Sequence, residues 1–138
     1  MAREAVLRDT NIQTSKRYTC ATSTGIAKGT YLKNADPTTA SASTGTGDGF
    51  CGFAHADVNE STDSAFNTET AVTADKGGFY ELVASGAIAV NAYVKTAAPG
   101  NYVMQATDAD MTASTAYIVG IAREAADDKE TINVEVFA

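Results

Sequence analysis

A short glycine-punctuated pattern occurs twice in this chain. Ile26-Ala27-Lys28-Gly29-Thr30-Tyr31-Leu32-Lys33-Asn34-Ala35 reads against Ile88-Ala89-Val90-Asn91-Ala92-Tyr93-Val94-Lys95-Thr96-Ala97, and each is followed by a second glycine segment, Cys51-Gly52-Phe53-Ala54 or Val119-Gly120-Ile121-Ala122. Brief apolar runs bounded by glycine fit short strands and turns rather than long helices. Two related β units are therefore expected. A chain that spends its length this way, with one histidine and no tryptophan, is suited to presenting a surface.

At 138 residues the chain fits one domain, which would bury roughly two-thirds of its unfolded surface. A hydrophobic content of 44% excludes wholesale disorder. Much of that content is alanine, so the core is expected to be thin and completed by association. The net charge of −7 disfavours phosphate binding, which excludes nucleic acid as a partner. There is no apolar run near membrane-spanning length and no charged-then-apolar leader, so neither a membrane span nor a secretory signal is read, and synthesis in the cytoplasm is expected.

Residues 1–24 hold Arg3, Arg8, Lys16 and Arg17, four of the ten basic residues. This segment reads either as an arm reaching an acidic partner or as an edge strand with solvated charges, and the acidity of the remainder favours the arm. Residues 25–138 form the folded part. A strand follows Gly29, and Asp36-Pro37 closes it. Residues 38–49 are small, polar and glycine-rich, which predicts a surface loop. Its Gly45-x-Gly47-x-Gly49 lacks the lysine and spacing of a phosphate cradle. A strand from Phe50 to Val58 and a polar turn over Asn59–Ser64 come next; Asn59-Glu60-Ser61 reads as a turn rather than a glycosylation site. Residues 69–74 and 78–84 read as a hairpin across Asp75-Lys76-Gly77-Gly78.

Beyond the second unit, Asn101–Gln105 is expected to pair with the preceding strand across Pro99-Gly100. Thr107-Asp108-Ala109-Asp110-Met111 reads as an acidic turn, without the glycine and closing glutamate of a calcium loop. Residues 123–129 allow at most two helical turns. The closing run alternates, with Ile132, Val134 and Val136 on one face. The whole predicts a mainly β chain: a small single-domain β-barrel or β-sandwich with an extended N-terminal arm.

Catalytic equipment is sparse. His55 is the only histidine and sits between Ala54 and Ala56, so it reads as a strand residue facing solvent or a carbonyl rather than a general base. Cys20 and Cys51 read as two partly buried thiols rather than a disulfide, and with His55 they are too few for a zinc site. No enzyme activity, cofactor or metal is expected.

The order of the segments Gly25-Ile26-Ala27-Lys28-Gly29-Thr30, Gly52-Phe53-Ala54-His55-Ala56-Asp57, Gly78-Phe79-Tyr80-Glu81-Leu82, Ala92-Tyr93-Val94-Lys95 and Val119-Gly120-Ile121-Ala122-Arg123-Glu124-Ala125-Ala126 resembles the capsid decoration, or cement, proteins of tailed phages and related viruses. The resemblance spans about Gly25 to Phe137. It departs from that pattern in the long loop over residues 38–49. It implies a virion protein on the outer capsid surface that contacts the major capsid protein, self-associates as a trimer and stabilises the head. Arg3, Arg8, Lys16 and Arg17 are the capsid-contact residues it suggests. The rival reading is a receptor- or carbohydrate-binding β module, for which Tyr93 and Tyr102 are the aromatic candidates.

Overall fold

A computed structural model describes residues 5–9, 14–21, 25–44, 49–58, 69–97, 101–113 and 118–137. The strands are β1 (Val6–Asp9), β2 (Thr14–Ala21), β3 (Tyr31–Asp36), β4 (Thr39–Ala42), β5 (Phe50–Ala54), β6 (Glu69–Lys76), β7 (Gly78–Val83), β8 (Tyr93–Ala97), β9 (Tyr102–Gln105), β10 (Ile118–Ala122) and β11 (Thr131–Val136). Among the described residues a single helix, α1, runs over Asp108–Ala113. The fold is mainly β. Strands β2-β4-β3-β5-β6 form a closed barrel, and β1-β7-β11-β10-β8-β9 form a six-stranded sheet.

The duplicated pattern is a duplicated topology. In the barrel, β2 pairs with β6, β3 with both β4 and β5, and β5 with β6, all antiparallel. In the sheet, β7 pairs with β11, β8 with both β9 and β10, and β10 with β11 in the same sense. Even the closing contact recurs: β2 meets β4 in parallel at Thr19 and Thr39, and Ala84, just beyond β7, meets Val103 of β9 in parallel. The bulges match as well, falling between Leu32 and Lys33 opposite Gly52 and Phe50, and between Ile118 and Gly120 opposite Lys95 and Val94.

A glycine anchors each bulge for a steric reason. A methyl group on Gly52 would press on the Asp75 carbonyl oxygen, and one on Gly120 on the Glu135 carbonyl oxygen. Only a residue without Cβ allows so close a strand approach. The turn before β3 and that before β8 use left-handed residues at matching places, Gly29 (φ 84°) and Asn91 (φ 64°). Both donate to a carbonyl at the end of the partner strand, Ala54 or Ala122, at 2.8 Å.

Alternation along these strands builds the interiors. The barrel encloses Tyr18, Cys20, Leu32, Ala40, Cys51, Val72 and Ala74. The second unit encloses Leu82, Ala84, Val94, Val103, Val119, Ile132 and Val134. Tyr31, Phe50 and Phe53 of the barrel join this second cluster, with Phe53 and Tyr80 ring centroids 4.6 Å apart. The barrel thus leans one flank on the end of the second unit. Asn101 accepts a hydrogen bond from the Tyr31 amide at 3.0 Å across this junction.

Four expectations change. Thr39–Ala42 is a strand rather than loop, because Ala40 is small enough to enter the barrel, where it is fully buried; residues 45–48 lie outside the described part, as do 59–68. The two strands around Gly77-Gly78 do not pair as a hairpin. β6 belongs to the barrel and β7 to the sheet, and the positive φ values of Gly77 (85°) and Gly78 (109°) turn the chain from one unit to the other. The acidic turn forms a short helix because Thr107 and Asp110 cap it reciprocally: the Asp110 amide donates to Thr107 Oγ1, and the Thr107 amide to Asp110 Oδ2. Finally, the described parts of residues 1–24 lie in sheets rather than in a free arm. β1 edges the sheet, and β2 is a full barrel strand because Tyr18 and Cys20 alternate inward.

Candidate interaction surface

The basic residues singled out by the sequence separate in the structure. Arg3 lies outside the described residues, and Arg8 is on β1, whose Val6 and Leu7 register with Glu81 and Tyr80 of β7. Lys16 and Arg17 lie side by side on β2, both exposed. Lys16 follows the inward parity of Tyr18 but sits at the barrel mouth. Its Nζ donates to the Pro37 carbonyl at 2.9 Å and lies 4.9 Å from the Tyr18 ring centre. Lys76 stands across the mouth, 5.6 Å from the Phe50 ring centre. Sequence reasoning passed over Lys76, although its place beside Gly77-Gly78 marks a strand end.

Cys51 lies under this mouth. Burial pushes its thiol up to about 11, against the opposing pull of Lys76 and Lys16. Cys20 is also buried, and both thiols are free. A thiol held protonated is a packing group rather than a nucleophile.

His55 is exposed just beyond β5. Its Nδ1 lies 2.6 Å from Asp75 Oδ2, and Ser15 Oγ donates to Asp75 Oδ1 at 2.6 Å. The carboxylate stands between hydroxyl and imidazole, so the serine does not address the imidazole as a nucleophile would its base. The matching place in the second unit holds Arg123 and Glu135, with Nη2 and Oε1 2.7 Å apart. Each pair ties the residue after the fourth strand of its unit, β5 or β10, to the fifth, β6 or β11. Among the described residues, no group of three or more His, Cys, Asp or Glu side chains is placed to hold a metal, and no helix is long and apolar enough to cross a membrane.

Among the described residues, the exposed large apolar side chains all lie on the second unit. Tyr93 and Phe137 are each 41% exposed, their ring centroids 6.1 Å apart, and Val90 is 54% exposed. Tyr102 does not join them. It lies at the other end of the β8–β9 hairpin, buried beneath Lys129, whose Nζ is 4.3 Å from its ring centre. The position of Tyr93 corresponds to that of Tyr31, which is fully buried against the second unit. One flank is covered in the first unit and left open in the second.

Neither a protein family nor a curated protein matches this chain. Among solved structures, it is similar to the N base of head fiber gp8.5 of bacteriophage phi29, known from a crystal structure. The TM-score is 0.52 and the identity 15%, with 91% of this chain and 95% of that one covered. The likeness is one of fold, and it takes in both units.

Proposed function

We propose that this chain is a structural protein of a phage head: a decoration or cement protein that binds the outer surface of the assembled capsid, contacts the major capsid protein and stabilises the shell. The observation that carries the reading is the likeness over nearly the full length to the base of a phage head fiber. The ordered series of glycine segments, which resembles capsid decoration proteins, supports it from the sequence side. No catalytic role is proposed, since binding of this kind rests on apolar area, charge and strand edges.

Self-association, as a trimer on the shell, is part of the proposal. Within the chain, the Tyr31–Phe53 flank of the first unit covers Tyr80 and its surroundings on the second. The second unit repeats that flank with Tyr93 and Ile121, adds Phe137 beside Tyr93, and leaves it open. The first unit repeats the covered end with Lys16 and Lys76, also open. A second copy can thus follow the first head to tail, seating aromatic rings on a mouth of lysines, a favourable pairing. Such a contact is heterologous, and the proposed trimer requires its rotation to close into a ring.

Co-sedimentation with expanded, undecorated capsids of the source phage tests the reading. Saturable binding at a fixed ratio to the major capsid protein is expected. Absence of binding at every concentration would overturn it. Sedimentation equilibrium tests the self-association: a mass of three chains is expected for the wild type, and a monomer for Phe137→Glu.

A further inference from the structure

The two units share a strand plan but not the state of one edge. In the second unit, β7 divides one edge between two partners. β1 takes it over Phe79–Glu81, and β9 approaches at Ala84. In the first unit, β2 meets β4 at Thr19, and among the described residues no strand takes the stretch over Ser15–Arg17. Through their matching partners, Asp75 with Glu135 and Thr73 with Asn133, Ser15 corresponds to Phe79 and Arg17 to Glu81.

The backbone of this stretch faces outward. The Thr19 amide donates to the Thr38 carbonyl at 2.8 Å, away from β6, and Arg17 and Ser15 share its parity. The partner of Arg17 on β6, Thr73, turns its own carbonyl the other way, to the His55 amide at 2.9 Å. Both observations leave the N–H and C=O groups of Ser15 and Arg17 pointing from the open edge. A groove of about 500 Å³ runs beside it, walled by Arg17, Thr19, Pro37 and Thr38. Unpaired strand edges with room beside them are the places where extended segments add to sheets.

We propose that the β2 edge over Ser15–Arg17 accepts an extended acidic segment of another protein, which adds to the barrel as an antiparallel strand in the way β1 adds to β7. The charge follows from the comparison. The filled edge carries Glu81 and receives β1, whose sequence holds Arg8. The open edge carries Arg17 at the matching position, with Lys16 beside it, on a chain of net charge −7. Pairing of two β2 edges from two copies would set these cations against each other and is disfavoured. The inference deepens the head-surface reading by stating how a partner is held, and rests on it only for the source of the strand.

The test uses the full chain, labelled for NMR, and two blocked nine-residue peptides. One alternates glutamate with valine and threonine; the other has lysine at each glutamate. The acidic peptide should slow amide exchange of Ser15 and Arg17 by about tenfold or more while leaving Phe79 and Glu81 unchanged, and the lysine peptide should not. Arg17→Pro removes one outward N–H and should abolish the effect. Because proline in a barrel strand can impair folding, the surface variant K16E/R17E provides the second reading and should prefer the lysine peptide. No protection at Ser15 and Arg17, equal protection by both peptides, or an unchanged preference in K16E/R17E would each overturn the proposal. Should the peptides fail while the protein still co-sediments with capsids, the edge is rejected and the head-surface reading stands.

Discussion

In the second unit, Val103, Val119 and Val134 fill positions that Ala40, Cys51 and Ala74 occupy in the barrel, and Val136 and Tyr80 stand where the barrel has Lys76 and Lys16. Each methylene withdrawn from a core is worth about 0.8 kcal/mol, so at these positions the second unit is packed more richly than the barrel. The second unit gains its mouth packing from the barrel flank, and the barrel keeps its own mouth charged and open. The difference shows one strand plan divided between two tasks, one unit consolidating the molecule and the other offering edges and cations.

The sharpest way to break this comparison is at its matching tyrosines. Tyr31→Ala should cost about 4 kcal/mol, the usual loss for a buried aromatic, whereas Tyr93→Ala should stay within about 0.5 kcal/mol as an exposed change. Urea denaturation of both variants, at a concentration where the chain is monomeric, would show it. Equal losses would mean that the two flanks are not covered unequally.

The bulge glycines should both respond, Gly120 the more strongly because a methyl group there meets the neighbouring backbone more closely. Gly52→Ala and Gly120→Ala each force a methyl group against a carbonyl of the neighbouring strand, at a cost of about 2–3 kcal/mol. Thermal melts of the two variants check both losses and their order.

A smaller effect of opposite sign is expected from Tyr31→Phe. The Tyr31 hydroxyl is buried with no hydrogen-bond partner among the described residues, and burial raises its pKa. Removing it should stabilise the chain by about 1 kcal/mol. The open flank offers no such gain, so Tyr93→Phe should be neutral in the same denaturation assay.

The smallest effect concerns α1, which lies in the second unit. The Thr107 amide, with Lys95 second, holds the Asp110 carboxyl down to about 2, below its ordinary 3.8. A carboxylate whose pKa falls on folding contributes stability that is complete above the unfolded value and is lost as pH falls through the folded one. A modest decline between pH 4 and pH 2 is therefore expected in stability against pH. It should be smaller in Asp110→Asn, where Asp36, held down by the Thr38 amide and hydroxyl, keeps its own share.

Much of this plan was legible before any coordinates. The paired segments around Gly29 and Asn91 and around Gly52 and Gly120 marked the two units, and the alternation of Ile132, Val134 and Val136 marked β11, because close strand approach and inward packing constrain residue type directly. β4 was not legible. Thr39-Ala40-Ser41-Ala42 buries only an alanine, and its strand state comes from neighbours distant in sequence. The separation of β6 from β7 was hidden for a similar reason, since a glycine pair serves a hairpin and a crossing equally well. Lys16 and Arg17 were picked out by charge alone. What gives them their setting is the comparison between β2 and β7, which only the pairing pattern reveals.

The order β1-β7-β11 has a mechanical meaning. Both outer strands run antiparallel to β7, so they are parallel to each other. The start of β1 lies near Glu81 and the end of β11 near Gly78, at opposite ends of the central strand. A load applied between Ala5 and Phe137 would therefore act along the strands and strain the ladder bonds of β7 together rather than one after another. Such a sheet resists pulling by shear, and its lifetime under tension is set by the rate of unfolding rather than by equilibrium stability.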